Sequence, residues 1–432
     1  MKKIFLILFC FFINCTYCYA EKIKYVFLII GDGMSVSSEV ALSRFLFGKD
    51  KMLFWNGFPY QYFMTTYSKS SYQDGYDSND FNKGYDTKTA GLLPYPYYKS
   101  DDAEQYFKTS IPTDSAAAAT AMSCGQKVIN KSICYDEENN SIKNIVDKIN
   151  NDKKFNFAFV TTDLFYGATP AGFTSHNESR KNYTQIATEI LSKTKPEIVA
   201  GKNEIYEMGD FAALNGYYVL DSYEINKPQT FSVVDKKIFL QLKKYYVPQP
   251  QENFLSESFQ YRSDGMKFAD VVSYAIKIML EKQKPFFILI EDADIDKANH
   301  KNNYKKMLGA VYELNETVKS IYDLISSKDT DMTFDNTVII VTADHSTGML
   351  RFNKFLSKGE LPNPDVFYNK NITVKTDTSI SYKTKRHVNE LVGLYCVGGK
   401  TDFFNKYKKF KNIIDNTAVY KVLNDIIFKD RT

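Results

Sequence analysis

The chain of 432 residues is 44% hydrophobic and 25% charged, which is enough apolar sequence for one large globular domain or two smaller ones. Its formal net charge is only +4, and the cations form no basic stripe. This composition argues against a nucleic-acid-binding protein that works through a basic surface, so we expect no nucleic acid partner.

The first twenty residues read MKKIFLILFCFFINCTYCYA. Two lysines precede an apolar run that extends from Ile4 to about Ile13, and Cys18 and Ala20 are small residues at the positions that a signal peptidase reads. This pattern predicts a signal peptide over residues 1–20 that is cleaved near Ala20, so that the mature protein is exported to the periplasm or secreted. The apolar run is too short to span a membrane, and no later stretch is long enough, so we expect no transmembrane segment in the mature chain. A lipid anchor on Cys15 or Cys18 is an alternative that the preceding residues disfavour.

Three of the six cysteines lie in the predicted signal peptide, which leaves Cys124, Cys134 and Cys396 in the mature chain. Cys124 and Cys134 flank a short polar stretch and could form a disulfide in an oxidising compartment, although the sequence leaves this pairing open. Cys396 lies in an apolar strand pattern, which predicts a buried free thiol.

Continuous apolar runs are typical of strands that are covered on both faces, and we predict buried parallel strands on this basis. The runs are residues 25–30, 155–161, 286–290, 337–342 and 392–397. Helical patterns at 270–282 and 304–327 lie between them. The alternation predicts an α/β three-layer sandwich with a mainly parallel central sheet flanked by helices.

We expect residues 21–432 to form one catalytic domain, with a long insertion at 68–111. The insertion is rich in Tyr, Asp, Ser, Asn and Gly and shows little apolar periodicity. Loops of this length are usually functional or mobile, so the segment could form a lid or a dimer contact. An inert surface loop is an equally good interpretation.

Residues 112–121 read PTDSAAAATA, and two interpretations of Ser115 compete there. Thr, Asp and Ser are good N-cap residues and alanine is the best helix former, so Ser115 could be an ordinary part of a helix start. It could also be a reactive nucleophile at that helix start.

Polar side chains cluster where the predicted strands end. Asp32 follows the first strand between two glycines, and the acidic segment from Glu291 to Asp296 follows another, with His300 four residues later. Asp344 and His345 follow a third strand, and His387 precedes the last one. Ligands of open α/β sheets bind at the carboxyl ends of the strands, and crowded acids are costly unless a cation neutralises them.

The whole chain has only four histidines, and three of them take part in this pattern. The combination therefore predicts metal binding. Mixed carboxylate and imidazole ligands suit zinc, whereas carboxylates with a hydroxyl suit magnesium.

Six segments occur together in one order: LIIGDGM, PTDSAAAATAMSCGQK, ATPAGFTSHNESR, ILIEDADIDKANH, TVIIVTADHS and HVNELVGLYCV. In these segments the sequence resembles the alkaline phosphatase family, from Ile29 to about Val397. The resemblance implies an α/β sandwich, two Zn²⁺ ions and one Mg²⁺ ion, and hydrolysis of small phosphate monoesters through a phosphoserine. It also implies a homodimer.

The resemblance assigns a role to each matching residue. Ser115 matches the nucleophile, which also contacts the second zinc, and Arg180 matches the phosphate-binding arginine. The first zinc would be held by Asp296, His300 and His387, and the second by Asp32, Asp344 and His345. Magnesium would be held by Asp32, Thr169 and Glu291. His176 matches no ligand, so we predict a structural role for it.

Three features depart from the family pattern. Gly167 stands where the family usually carries Asp or His near the magnesium, which suggests a weakly held ion. Lys297 follows Asp296 and could contact phosphate through water. Residues 346–386 separate the last zinc ligands by a short segment, which predicts only a small crown-like excursion.

Three other functions compete with a phosphomonoesterase. A sulfatase is disfavoured because its Cys/Ser-x-Pro-x-Arg motif is absent. A phosphodiesterase of the same superfamily usually has a threonine nucleophile and lacks the arginine. The third alternative is a catalytically inactive exported metal-binding protein, which the complete set of candidate ligands argues against.

Overall fold

The computed structural model describes residues 22–71, 111–225, 235–243, 245–252, 257–362, 379–409 and 411–429. The predicted signal peptide, most of the predicted insertion at 68–111 and the middle of the predicted excursion at 346–386 therefore lie outside the described residues. Within them, no helix combines the length and the apolar character that a membrane span requires.

Sixteen strands occur in the described residues. They are β1 (Tyr25–Gly31), β2 (Tyr60–Thr65), β3 (Asn156–Leu164), β4 (Ile198–Lys202), β5 (Tyr217–Asp221), β6 (Lys237–Gln241), β7 (Gln249–Pro250), β8 (Phe259–Gln260), β9 (Phe286–Asp292), β10 (Thr337–Thr342), β11 (Ser346–Thr347), β12 (Leu350–Phe352), β13 (Ile380–Tyr382), β14 (His387–Val388), β15 (Val392–Gly398) and β16 (Ile413–Asp415).

The α-helices of the described residues number ten. They are α1 (Val36–Phe47), α2 (Ser115–Cys124), α3 (Ile145–Asp152), α4 (Ala168–Thr174), α5 (Tyr183–Glu189), α6 (Met208–Leu214), α7 (Phe268–Glu281), α8 (Asp294–His300), α9 (Tyr304–Ser326) and α10 (Thr417–Phe428).

Ten strands form one sheet in the order β16-β2-β15-β10-β1-β9-β3-β4-β6-β5. Every neighbouring pair from β10 to β5 is parallel. The predicted mainly parallel sheet is thus confirmed, but the expectation that residues 392–397 form a parallel strand is wrong. β15 runs antiparallel to both β10 and β2. A continuous apolar run reports burial on both faces and not strand direction, because both directions need the same side chains.

Helices cover the sheet in two groups. α2, α3, α4 and α10 pack on one another, and α1, α7, α8 and α9 form the other group. The central strands are apolar throughout, and all seven residues of β1 are buried. Because parallel strands end at the same edge, β1, β3, β9 and β10 deliver Asp32, Asp163, Glu291 and Asp344 to one edge of the sheet.

The single tryptophan of the chain, Trp55, donates a hydrogen bond to the buried carboxyl group of Glu39 in α1. Glu39 is 4% exposed. Its Oε2 accepts hydrogen bonds from Trp55 Nε1 at 3.0 Å and from the Tyr395 hydroxyl at 2.6 Å, whereas its Oε1 has no partner among the described residues. Burial raises the pKa of Glu39 from 4.5 to about 7 against the effect of these hydrogen bonds.

We expect Glu39→Gln to stabilise the protein above pH 7 by up to about 3 kcal/mol. Between pH 4.5 and 7 native Glu39 holds a proton that the unfolded chain has lost. The free energy of unfolding of the wild type therefore falls as the pH rises through this window, and the glutamine removes the fall. Urea unfolding at pH 5 and pH 8, followed by Trp55 fluorescence, measures the difference. An equal effect of the substitution at both pH values would contradict the prediction.

Candidate metal centre and active site

The first cluster of candidate ligands joins Asp296 and His300 of α8 to His387 of β14. One ligand atom from each residue lies within 4.8 Å of the others. The Nε2 atoms of His300 and His387 are 3.0 Å apart, and His300 Nε2 is 3.2 Å from Asp296 Oδ2. Asp296 and His300 reach the same place because residues at i and i+4 share one face of a helix.

Main-chain carbonyls orient both histidines. His300 Nδ1 lies 2.5 Å from the carbonyl oxygen of Lys385, and His387 Nδ1 lies 2.9 Å from that of Thr113. A carbonyl oxygen can only accept, so each Nδ1 carries a proton, and in the neutral imidazole each Nε2 then presents its lone pair. Two imidazole nitrogens that face each other beside a carboxylate form a donor set that fits a metal ion.

The second cluster consists of Asp32, Asp344 and His345, which also present ligand atoms within 4.8 Å of one another. All three are buried, and Asp32 Oδ1 and Asp344 Oδ2 have no hydrogen-bond partner among the described residues. Burial and the charge of Asp344 raise the pKa of Asp32. Burial lowers the pKa of His345, which keeps the imidazole neutral, as a ligand must be. Unpartnered carboxylate oxygens and a neutral imidazole suit a bound cation.

The predicted magnesium ligands lie beside the second cluster. Glu291 is buried at the end of β9, and its Oε2 accepts a hydrogen bond from the Thr161 hydroxyl at 2.5 Å. Burial raises the pKa of Glu291 to about 7, while the hydrogen bond from Thr161 lowers it. The buried Thr169 hydroxyl has no hydrogen-bond partner among the described residues. A carboxylate and an unpartnered hydroxyl are oxygen donors that suit a hard cation.

Ser115 is the first residue of α2 and its Oγ lies 3.1 Å from His345 Nε2. The helix cap is the preceding residue, because Asp114 Oδ1 accepts the backbone N–H of Ala117 at 3.0 Å. Ser115 therefore does lie in the helix start, as the sequence predicts, but the capping side chain is that of Asp114. The Ser115 hydroxyl is left to face the second cluster, and Gly125 ends the helix in the left-handed conformation.

Arg180 points to the same place from the loop after α4. Its Nη1 donates to Asp114 Oδ2 at 3.1 Å, so the helix cap also orients the guanidinium. Burial would lower the pKa of Arg180, but Asp114, Asp32 and Asp344 raise it. The arginine is thus a cation held by Asp114, the residue that precedes Ser115, and its planar fork suits a phosphate.

Two residues that the sequence did not single out belong to this edge. Asp163 forms an ion pair with Lys297, and a side chain added at Gly167 would place its Cβ 3.7 Å from Asp163 Oδ2. Asp114 anchors both α2 and Arg180. Asp163 follows the predicted strand at 155–161, as the other candidate acids follow theirs, and this position could have indicated it from the sequence.

His176 lies in a separate network. Its Nε2 is 3.0 Å from Asp147 and its Nδ1 is 3.3 Å from Glu189. Burial would lower the pKa of His176, but the two carboxylates raise it to about 10. An imidazolium that holds two carboxylates suits the structural role predicted for this residue.

The three mature cysteines are buried free thiols in the structure. Cys124 Sγ and Cys134 Sγ are 3.2 Å apart and unbonded, so the disulfide left open by the sequence is not formed here. Cys396 lies within β15, as expected of a buried thiol.

Comparison with known proteins places these features in a family. The family profile described as "Alkaline phosphatase" matches residues 89–209 and 257–394. Alkaline phosphatase 3 of Bacillus subtilis is 29% identical over 335 residues, which are 76% of this chain and 62% of that protein. The alkaline phosphatase of Escherichia coli K12 is 25% identical over 381 residues, or 75% of this chain and 70% of that protein.

Solved structures agree in fold. The cold-active alkaline phosphatase of a Shewanella species superposes with a TM-score of 0.67 at 17% identity, over 94% of this chain and all of that one. The enzyme of the Antarctic bacterium TAB5 gives 0.63 at 18% identity, over 95% of this chain and all of that one.

The protein therefore has an α/β fold in which two clusters of candidate metal ligands lie at one edge of the sheet, close to Ser115. The chain belongs to the alkaline phosphatase family. Metal dependence is a property of this family, and the two clusters are the candidate sites. The chain spans 62% and 50% of the length of two of the curated relatives that it matches, alkaline phosphatases 3 and 4 of Bacillus subtilis.

Proposed function

We propose that this protein is an alkaline phosphatase that hydrolyses small phosphate monoesters through a phosphoserine on Ser115. The observation that carries the proposal is the position of Ser115 Oγ, which is 3.1 Å from His345 of the second cluster, while Arg180 is paired with the preceding residue, Asp114. The proposal is supported by the membership of the chain in the alkaline phosphatase family. The resemblance to that family implies that Ser115 is the nucleophile and that Arg180 binds phosphate.

The two clusters would hold Zn²⁺, the first through Asp296, His300 and His387 and the second through Asp32, Asp344 and His345. Glu291, Thr169 and Asp32 would hold Mg²⁺. When bound, such cations neutralise charge on the attacking and leaving oxygens of a phosphoryl transfer. The residues fit because Asp32 Oδ1, Asp344 Oδ2 and the Thr169 hydroxyl have no hydrogen-bond partner among the described residues, and the Nε2 atoms of His300 and His387 converge at 3.0 Å.

Ser115 would attack phosphorus through Oγ, form the Ser–O–P bond and release the alcohol of the ester. Water then attacks the phosphoserine, which breaks the Ser–O–P bond and releases inorganic phosphate. Arg180 would bind two phosphate oxygens in both steps, since Asp114 holds its guanidinium in place. The N-terminal turn of the ten-residue helix α2 adds a favourable field for the anion. Orientation and charge neutralisation supply most of the acceleration in phosphoryl transfer.

The carboxylate of Asp163 lies close to Gly167, the residue whose missing side chain predicts weak magnesium binding. Gly167 contributes no side chain, but the Asp163 carboxylate lies over it and pairs with Lys297. Burial would lower the pKa of Lys297, but Asp163, together with Asp294 and Glu291, raises it. We infer that Asp163 neutralises a lysine that would otherwise repel a cation at Glu291.

We therefore expect Asp163→Asn to lower the Mg²⁺ affinity of the zinc-loaded protein by about tenfold or more. The neutral amide removes the ion-pair partner of Lys297, so that the charge of the lysine is less compensated beside Glu291. Isothermal titration with Mg²⁺ measures the affinity, and Asp329→Asn at an exposed position is the control. Unchanged Mg²⁺ binding in Asp163→Asn would refute this role.

Hydrolysis of p-nitrophenyl phosphate and of bis-p-nitrophenyl phosphate, with and without EDTA, tests the proposed function. A monoesterase releases p-nitrophenol from the first ester much faster, and EDTA abolishes the release. Faster turnover of the bis-ester would indicate a phosphodiesterase. No turnover of either ester with zinc present would indicate an inactive metal-binding protein.

We also propose that the protein is exported and that it forms a homodimer. Export is supported by the residue pattern of positions 1–20, and the dimer only by the family resemblance. N-terminal sequencing of the mature protein and its mass by light scattering test the two proposals separately.

A further inference from the structure

The sulfur atoms of two cysteines meet at the end of α2 that is remote from Ser115. Cys124 is the last residue of this helix, and Cys134 ends the 125–134 loop that follows it. Cys124 Sγ lies 3.2 Å from Cys134 Sγ, and both residues are buried. The sulfurs of a disulfide lie about 2 Å apart. A movement of about 1 Å would therefore bring these two atoms to bonding distance.

The main chain holds Cys134 in this position from both sides. Its N–H donates to Thr120 Oγ1 of α2 at 3.1 Å, and its carbonyl oxygen accepts the N–H of Ile142 at 2.7 Å. The adjacent residue Ile133 exchanges two main-chain hydrogen bonds with Asn177, each 2.9 Å long. The approach of the two sulfurs is therefore set by a hydrogen-bonded backbone, and it does not depend on a freely rotating segment.

The backbone conformation of Cys134 is unusual for a cysteine. Its φ angle is 51°, in the left-handed region that favours glycine. A residue with a Cβ has a conformational cost in that region, because the Cβ approaches the following carbonyl oxygen. Such strain persists only where the surrounding structure maintains it, and it is often found at positions with a function. A function of the sulfur itself would account for a cysteine at this position.

Oxidation of the two thiols would leave the surrounding polar groups satisfied. In the reduced form Cys124 donates its S–H to Cys134 Sγ, and Cys134 donates to the carbonyl oxygen of Gly172 at 3.1 Å. The same carbonyl also accepts the hydroxyl of Ser123, so it keeps a donor when the S–H of Cys134 is lost. A disulfide at this place therefore leaves no buried carbonyl without a partner.

The 125–134 loop also anchors two residues of the proposed phosphate site. The N–H of Lys131 donates to Asp114 Oδ1 at 3.0 Å, and the carbonyl oxygen of Lys131 accepts the N–H of Arg180 at 2.8 Å. Asn130 Oδ1 accepts the N–H of Asp114 at 3.2 Å. A bond between the two cysteines would close this loop into a ring, and it would restrict the segment to which Asp114 and Arg180 are attached.

We propose that Cys124 and Cys134 are a redox pair, which a disulfide oxidant converts into an intramolecular disulfide that links the 125–134 loop to α2. The reaction is thiol–disulfide exchange. One cysteine attacks the external disulfide as its thiolate, forms a mixed disulfide and releases one thiol. The second cysteine attacks the mixed disulfide, forms the Cys124–Cys134 bond and releases the other thiol. The two cysteines thus lose two hydrogen atoms, and the external disulfide takes them up as it becomes two thiols.

Burial of the two sulfurs determines when the exchange can take place. Cys124 is 5% exposed and Cys134 is fully buried. An external disulfide therefore reaches them while the chain folds or when the loop opens locally. The export proposed above would bring the folding chain into an oxidising compartment. The redox pair goes beyond the proposed phosphatase function and does not depend on it.

Peptide mapping without reduction tests the pair directly. The protein is unfolded in urea with a reductant and then refolded with a mixture of oxidised and reduced glutathione. Trypsin cleaves at Lys127 and Lys131, between the two cysteines, so that they fall in separate peptides. We expect a disulfide that links the peptide of Cys124 to the peptide of Cys134. Free thiols at both positions, or a bond from either to a different cysteine, would overturn the proposal.

A stability measurement tests the link between the loop and α2. We expect oxidation to lower the equilibrium constant for unfolding in urea by about tenfold or more, because the ring restricts the unfolded chain. Cys134→Ser should abolish the difference between oxidised and reduced protein, and Cys124→Ser provides the same comparison if Cys134→Ser does not fold. Cys396→Ser, which removes a buried thiol in β15, is the matched control and should retain the difference.

Equal unfolding constants for the oxidised and the reduced wild type would overturn the stabilising link. Neither the peptide map nor the unfolding constant requires turnover of an ester. Absence of phosphatase activity would therefore defeat the proposed function alone, whereas absence of the disulfide would defeat the redox pair alone.

Discussion

Replacing Ser115 with alanine is expected to lower kcat for p-nitrophenyl phosphate by at least about a thousandfold. The reason is that Ser115, at the start of α2, places its Oγ 3.1 Å from His345 Nε2 in the second cluster. Without it no covalent phosphoenzyme can form, and Arg180 and the bound cations can only orient the ester. Steady-state kinetics and acid-quenched trapping of phosphoserine measure the loss.

The same substitution should leave the free energy of unfolding within about 1 kcal/mol of the wild type. Asp114 rather than Ser115 caps the helix, and alanine is a good residue for its first turn. Ser123→Ala is the matched control, because it removes a buried hydroxyl at the other end of α2. Ser123→Ala should retain activity, and full activity in Ser115→Ala would exclude Ser115 as the nucleophile.

Removal of metal with EDTA is expected to abolish turnover and to make stability depend strongly on pH. In the metal-free protein burial raises the pKa of Asp344 to about 7, with a further contribution from Asp296. The native state then binds a proton that the unfolded chain has released between about pH 4 and pH 7. The free energy of unfolding of the metal-free protein therefore falls as the pH rises through this window, and bound cations remove the fall.

Denaturant unfolding at pH 5.5 and pH 8.5, with zinc and with EDTA, measures this dependence. The expected result is a larger stabilisation by zinc at pH 8.5, accompanied by proton release when zinc is added to the metal-free protein at pH 6. Equal stability with and without chelator at both pH values would show that the two clusters hold no structural cation. His176→Gln, outside both clusters, should respond to EDTA as the wild type does.

The sequence predicts much of this site because its side chains follow strands that are easy to recognise. Asp32 and Asp344 come directly after β1 and β10, whose apolar runs show burial on both faces. Parallel pairing then brings these strand ends together without further information. The spacing of Asp296 and His300 likewise places both on one face of α8 once that segment is helical.

Other features depend on contacts that a residue pattern does not encode. The antiparallel direction of β15 is seen in its pairing with β10 and with β2, a strand that is only half buried and has no continuous apolar run in the sequence. The ion pair of Asp163 with Lys297 joins residues 134 positions apart, so neither indicates the other along the chain. Likewise, the cap of α2 is Asp114 rather than Ser115, although both are good capping residues by type.

The main-chain carbonyls that orient His300 and His387 have a consequence for how this site can change over time. A point mutation alters side chains, so it cannot delete the acceptors supplied by Lys385 and Thr113. Whatever residue drifts into those two positions, the imidazoles keep the tautomer that a metal needs as long as the backbone path persists. The two carbonyl acceptors that orient the candidate ligands His300 and His387 are therefore a property of the fold. Relatives with low sequence identity can keep these two hydrogen bonds as long as they keep the backbone.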